Sequence, residues 1–451
     1  MLGALLIAAA AASMQRYQVE AGAGALELRV DAVLEAGRDG AVCVQKGYGP
    51  FVRDLVVGAQ KKPLAMEGDC LPDGVCEASG CALEYRFALA EAARSKRSRN
   101  RAFEQDGVLL SPPGVWLLSP TSPRLGSRYR LAVKTPPEIR FVSGAFLDPK
   151  DPTAWEGLTS DLMDGPYAGF GPFETARVES VKGFVEIAIT PGERTLGKDA
   201  IVAWAAAAAG NVAGYLGRYP VPRALVIVLM GGRRGVGYGS SMGDGGASVM
   251  VSLGRDSAQA DLDKDWTLTH ETMHLLLPNV PRVQHWFEEG MATYAEPVAR
   301  TRAGRQPPES LWRELMNGMA KGQGAAAASG LDASGWAGTY WGGALFMMLA
   351  DVAIREETKN KKGLEDALSG IREEGTIADN WPFERVLRVG DAATGTRALQ
   401  DLYAKMGRAP YAVDLASLWQ RLGVARSGDT VSFDDAAPLA AIRKSIESRR
   451  P

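Results

Sequence analysis

The chain has 451 residues, enough for two or three domains and one substantial core. Its 51 Lys and Arg nearly balance its 53 Asp and Glu, for a formal net charge of -2, so nothing argues for nucleic acid or an anionic membrane as a partner. An apolar fraction of 46% is that of a folded globular protein.

The first residues, MLGALLIAAAAASM, are apolar and end in small side chains, as in the core and cleavage region of a secretory signal, though without a basic start. A buried N-terminal helix is the competing reading. The stretch is short for a transmembrane span, and no later segment has the apolar length of one. Four cysteines, Cys43, Cys70, Cys76 and Cys81, cluster in turn-rich sequence; an even number there predicts two disulfides and an oxidising compartment. The spacings lack the two-residue knuckles of a thiolate zinc site.

From Tyr17 to Phe141 short alternating runs (LELRVDAVLE, ALEYRFALAEA, GVWLLS, YRLAVKTP) broken by Gly and Pro predict strands of a sandwich-like domain. The basic run from Arg94 to Arg101 has no aromatic interleaving and reads as a solvated loop. Pro149 to Tyr167 reads as a connection, and VKGFVEIAITPG as a strand and turn. Asp199 to Leu216 is an Ala-rich helix, and Ala224 to Met230 (ALVIVLM) a central strand. The glycine-rich stretch from Gly231 lacks the ending of a phosphate-binding loop and reads as a flexible loop leading to an edge strand at about Ala247 to Leu253. Such an edge can pair with an extended peptide, and Gly245 and Gly246 allow close approach.

Thr267 to Pro297 carries the chemistry. In His270-Glu271-Thr272-Met273-His274 the two imidazoles fall one helical turn apart on one face, with a carboxylate beside the first. A surface helix that happens to hold two histidines is the plain alternative, but the chain has only three histidines. Zinc needs three protein ligands and an open position to do hydrolytic chemistry. Asp265 caps this helix, Pro278 to Pro281 forms a crossing loop, and a second helix runs from His285 to Glu296, where Pro297 stops or bends it. That helix should supply the third ligand: Glu289 is the first choice, with Glu288, Glu296 and His285 as alternatives, and Gly290 permitting tight helix packing. Glu271 points beside the metal, where a general base is needed. Thr269, Thr293 and Glu296 are candidate outer partners of the imidazoles. Tyr340, opening an apolar helix in GTYWGGALFMMLADV, is a candidate oxyanion donor or an ordinary satisfied core tyrosine. The rest of the chain to Pro451 is helical by period.

With these residues laid out, the pattern resembles the gluzincin metallopeptidases, most closely the glycyl aminopeptidase family and more distantly the aminopeptidase N and leukotriene A4 hydrolase group. The resemblance lies in His270-Glu271-x-x-His274, in Trp286-Phe287-Glu288-Glu289-Gly290-Met291-Ala292 and in Tyr340-Trp341-Gly342-Gly343-Ala344, and covers about 224–349. It implies zinc as the cofactor, one per chain, with Glu289 as third ligand and Tyr340 as transition-state tyrosine. The expected architecture is multidomain α+β: a signal-like segment over 1–15, a β-sandwich-like domain over 16–145, then, in the order the resemblance fits, a thermolysin-like catalytic domain over 146–300 and a helical region over 301–451. Where those families place a Glu for the substrate's α-amine, this chain reads Met242-Gly243-Asp244-Gly245-Gly246, with a shorter carboxylate. Asp244, Gly245, Gly246 and Ala247 are therefore the candidate substrate-binding residues. The leading expectation is an exported zinc peptidase acting on peptide or protein, as aminopeptidase or endopeptidase. The alternatives are a silent zinc-fold binding module and a zinc hydrolase of a non-peptide bond.

Overall fold

The computed structural model describes residues 14–35, 41–76, 80–96 and 101–448. The signal-like segment therefore lies outside the described residues, apart from Met14 and Gln15, which open the first strand. No described helix is long and apolar enough to cross a membrane. The chain divides into two units. The first runs to Thr175 and takes in Ala188–Gly192 and Met242–Ser248; the second comprises Ala176–Ile187, Glu193–Ser241 and Val249–Pro451. The helical C-terminal region thus belongs to the same unit as the two motif helices, and the first unit extends beyond residue 145.

The first unit is β-rich. Its larger sheet has eight strands in the order Leu147–Asp148, Asp151–Leu158, Arg128–Lys134, Met14–Ala21, Leu28–Leu34, Cys81–Phe87, Val52–Val57 and Lys62–Pro63. Met14–Ala21 shows why it is a strand: Gln15, Tyr17, Val19 and Ala21 are buried while the residues between them face outward, the two-residue period of a half-buried sheet. A smaller sheet of Arg140–Ser143, Ala168–Gly171, Val108–Leu110 and Phe103–Gln105 shares its core, with Trp116 and Phe170 packed in the same cluster as Tyr17 and Val30. Two expectations change here. GVWLLS is mostly not a strand, because Pro112 and Pro113 remove two donors and lead into the short turn Pro113–Val115, with Trp116 buried behind it. Residues 149–167 are not merely a connection, since Asp151–Leu158 pairs along Arg128–Lys134. The cysteines form two disulfides, Cys43–Cys70 and Cys76–Cys81.

The second unit holds most of a five-stranded sheet in the order Glu174–Ser180, Gly183–Ile189, Arg223–Met230, Ser248–Leu253, Val236–Met242. The ALVIVLM run is central as expected, every residue of Arg223–Met230 being buried. The expected edge strand is corrected: Ser248–Leu253 lies inside the sheet, and the edge strand beside it is Val236–Met242, which its glycines had made look like a loop. Behind the first motif helix (Thr267–His274) lies the helix Lys198–Leu216, and the Asn211 side-chain amide donates to Thr269 Oγ1 at 3.1 Å. Asp265 caps the motif helix as expected, accepting from the backbone N–H of Thr267 (2.9 Å) and Leu268 (3.1 Å).

The second motif helix runs over His285–Arg302 and does not stop at Pro297. Its flanks, Tyr294, Ala295, Val298 and Ala299, are all core residues, so packing carries the helix through one missing hydrogen bond. It crosses the helix Gly343–Glu357 at backbone contact. A Cβ on Gly290 would fall 2.2 Å from the Gly343 carbonyl carbon, and one on Gly343 would fall 2.1 Å from the Trp286 oxygen. Deeper in the crossing, Tyr294 donates to Asp351 at 2.8 Å, Asp351 pairs with Arg355 at 2.8 Å, and Arg355 and Arg302 both reach Glu365. These charges are all but solvent-free, so each depends on its partners.

Gly290→Ala is expected to lose ~1–3 kcal/mol or more of stability, the cost of forcing a methyl into a packed contact. Urea unfolding of the variant against the parent measures this; an unchanged midpoint contradicts the backbone contact.

Candidate metal centre

The first motif helix presents His270 and His274 on one face, and the second brings Glu289 to them. The three ligand atoms form a small triangle: His270 Nε2 to His274 Nε2 is 3.3 Å, His270 Nε2 to Glu289 Oε2 is 3.3 Å, and His274 Nε2 to Glu289 Oε2 is 3.5 Å. Tetrahedral ligands about 2.0–2.1 Å from a zinc ion stand roughly 3.3 Å apart, so the triangle has the size such an ion requires. Among the described residues this is the cluster of three side chains able to hold a metal. Glu289 is drawn in two directions: burial raises its pKa, but hydrogen bonds with His270, His274 and His285 outweigh it and hold the carboxylate well below its usual range. Burial likewise lowers His274, and the contact with Glu289 more than reverses it.

Glu271 stands aside from the triangle. Burial raises its pKa above the usual carboxylate value; the neighbouring imidazoles and a hydrogen bond with Ser241 oppose the shift. Its side chain rests on the edge strand, where a Cβ at Gly239 would meet Glu271 Cγ at 2.6 Å. Tyr340 lies in a single π-helical turn, Gly338–Gly342, that opens the helix Gly343–Glu357; such turns re-aim one side chain and are frequent at functional sites. Its ring stacks on His270 with centroids 6.5 Å apart. Burial, helped by the charges of Glu289 and Glu271, pushes its hydroxyl up to about 12, so it remains a donor at neutral pH. Trp341 beside it is received by Gly318 and Gly322 of the helix Pro308–Ser329, which fixes the turn.

These groups line a cavity of about 310 Å³ whose walls include Tyr238, Gly239, Ser240 and Ser241 of the edge strand, Asn279 of the crossing loop, and His285 and Glu288. The edge-strand residues were missed by sequence reasoning; the only available signal was the weak alternation of VGYGSSM, which its glycines mask. Asp244, Gly245, Gly246 and Ala247 are not among the lining. They belong to the first unit, where Ala247 donates its N–H to the Gly144 carbonyl at 2.9 Å and Gly246 bridges Ala145. The alternative third ligands are engaged elsewhere: Glu296 pairs with Arg300, and Glu288 with His285 and the Val280 N–H. Of the outer partners expected for the imidazoles, Thr269 is held by Asn211, and buried Thr293 Oγ1 has no hydrogen-bond partner.

No family model matches the chain, and no curated protein sequence matches it. Its fold is similar to that of solved M1 zinc metallopeptidases. An aminopeptidase N family protein from Idiomarina loihiensis is 14% identical, with a TM-score of 0.66 over 91% of this chain and 78% of the other. An M1 zinc metallopeptidase from Deinococcus radiodurans is 14% identical, with a TM-score of 0.53 over 89% of this chain and 96% of the other. A mutant of that enzyme bound to a Tyr-Ser-Ala substrate is 12% identical, with a TM-score of 0.51 over the same shares. At this identity the likeness is one of fold. It agrees with the α+β arrangement, β-rich at the N-terminal end and helical at the C-terminal end.

The purified, chelator-treated protein is expected to take up one zinc ion per chain. His274→Ala should weaken that uptake by more than the roughly 10–100-fold that loss of an outer partner costs. Titration against a chromophoric chelator reads both, and a parent that takes up no zinc contradicts the ligand triangle.

Proposed function

We propose that the chain is a zinc-dependent peptidase with a thermolysin-like catalytic unit, in which His270, His274 and Glu289 hold the metal and Glu271 is the general base. One observation carries this: three ligand atoms stand at the mutual spacing of a tetrahedral site while a second, separate carboxylate, that of Glu271, is held beside them against the edge strand. Bound there, zinc supplies a Lewis acid that polarises a carbonyl and makes water more acidic.

The chain's own residues do the rest. Glu271 is buried and its proton affinity is raised, so it can accept a proton from the attacking water and deliver it to the leaving nitrogen as the C–N bond breaks. Tyr340 keeps its proton and donates to the carbonyl oxygen as negative charge develops there. Val236–Met242, as an edge of the sheet, is the strand alongside which an extended substrate backbone can lie, and Gly239 leaves room for the Glu271 side chain beside it. The fold neighbours support the reading, one of them having been solved with a bound tripeptide. The two disulfides support an exported protein working in an oxidising compartment.

Glu271→Gln keeps the size of the side chain and removes the base. It is expected to lower kcat on a peptide mixture by about 10²–10⁴-fold with zinc retained. Unchanged turnover rejects the assignment, and cut positions relative to the free amino end separate aminopeptidase from endopeptidase action. Tyr340→Phe should lower kcat by roughly 10²–10³-fold with KM little altered, as loss of one oxyanion donor does. A change confined to KM would instead make Tyr340 a binding residue.

A further inference from the structure

The chain has three histidines, and all three line the same cavity. His285 does not join the ligand triangle. Its Nε2 stands 3.3 Å from Oε1 of Glu289, whereas the imidazole contacts are made by Oε2. Its Nδ1 lies 2.7 Å from Oε2 of Glu288, whose Oε1 accepts the Val280 N–H at 3.1 Å. Val280 sits in a stitched loop: the neighbouring Asn279 donates its N–H to the Asp379 carbonyl and accepts from the N–H of Trp381. A continuous run of contacts therefore leads from a fixed backbone amide, through Glu288 and His285, to one oxygen of the third candidate ligand. Residues 285, 288 and 289 meet because they are three and four apart on one helix.

A carboxylate turns about a soft terminal torsion and has two nearly equivalent oxygens. With nothing on Oε1, both oxygens of Glu289 could turn toward a metal and crowd the position that hydrolytic chemistry must leave open. We propose that His285 is a positioning residue that ties off Oε1 of Glu289, so that the carboxylate offers the single oxygen Oε2, with Glu288 and the Val280 N–H fixing the imidazole in turn. This rests on the zinc-binding reading above and adds a residue to it. The His285 side chain is 52% exposed, so its ion pairs contribute little to the stability of the fold. Its role is one of orientation, which separates it from a structural one.

The test uses the full chain and zinc alone. His285→Ala is expected to weaken zinc binding about 10–100-fold, read by chelator competition, with the melting temperature of the metal-free protein unchanged. Loaded with cobalt, the same variant should show weaker visible absorption than the parent, the sign of a ligand number raised above four. His285→Gln, whose amide can still donate to Oε1, should restore most of the affinity and the spectrum. Zinc affinity and cobalt spectrum unchanged in His285→Ala overturn the proposal, as does a His285→Gln variant no better than His285→Ala. A parent that takes up no zinc overturns the functional reading and this inference together. A parent that binds zinc but cleaves no peptide overturns the peptidase reading alone, and the affinity comparison still decides this one.

Discussion

The candidate metal centre depends on one close approach, the backbone contact between Gly290 and Gly343. It brings the helix that carries Glu289 against the helix whose first, π-helical turn carries Tyr340. Any side chain at either position would separate the two groups by the width of a methyl. The crossing is then locked by polar contacts well away from the cavity, from Tyr294 through Asp351 and Arg355 to Glu365 and Arg302. Buried charges of this kind add little net stability, but they penalise any register in which a partner is lost.

The electrostatics of the cavity follow from that placement. Three carboxylates and three imidazoles share a small space, and burial raises the proton affinity of Glu271 and Glu289. What separates them is the partner each one has. Glu289 is hydrogen-bonded by imidazoles and stays charged, whereas at Glu271 burial outweighs the opposing imidazoles and the Ser241 hydrogen bond, so it holds its proton more tightly. Two acids from adjoining helices thus differ in proton affinity by environment, a difference that side-chain type alone cannot make.

The first unit is stabilised differently. Its sheets bury alternate residues around Trp116 and Phe170, and two disulfides staple its turn-rich segment. The stapling suits a stretch with few apolar residues of its own, in which cross-links restrict the unfolded chain. None of the candidate catalytic groups lies there.

Much of the site was legible before any folding. The spacing of His270, Glu271 and His274 follows from the pitch of a helix, and a helix is local, so the sequence by itself determined that two imidazoles and a carboxylate would share one turn. The central ALVIVLM strand and the paired cysteines were readable for the same reason, since composition and period act over a few residues. The edge strand was not readable, because edge and interior differ only in what pairs alongside, and the glycines of Val236–Met242 carry no apolar alternation. Nor was the passage of the second motif helix through Pro297, which is held by neighbours distant in sequence. Tertiary structure alone decided which glutamate meets the imidazoles, where Asp244 to Ala247 belong, and which carboxylates His285 contacts. Each of these depends on a contact between segments, whose energy exists only once both are in place.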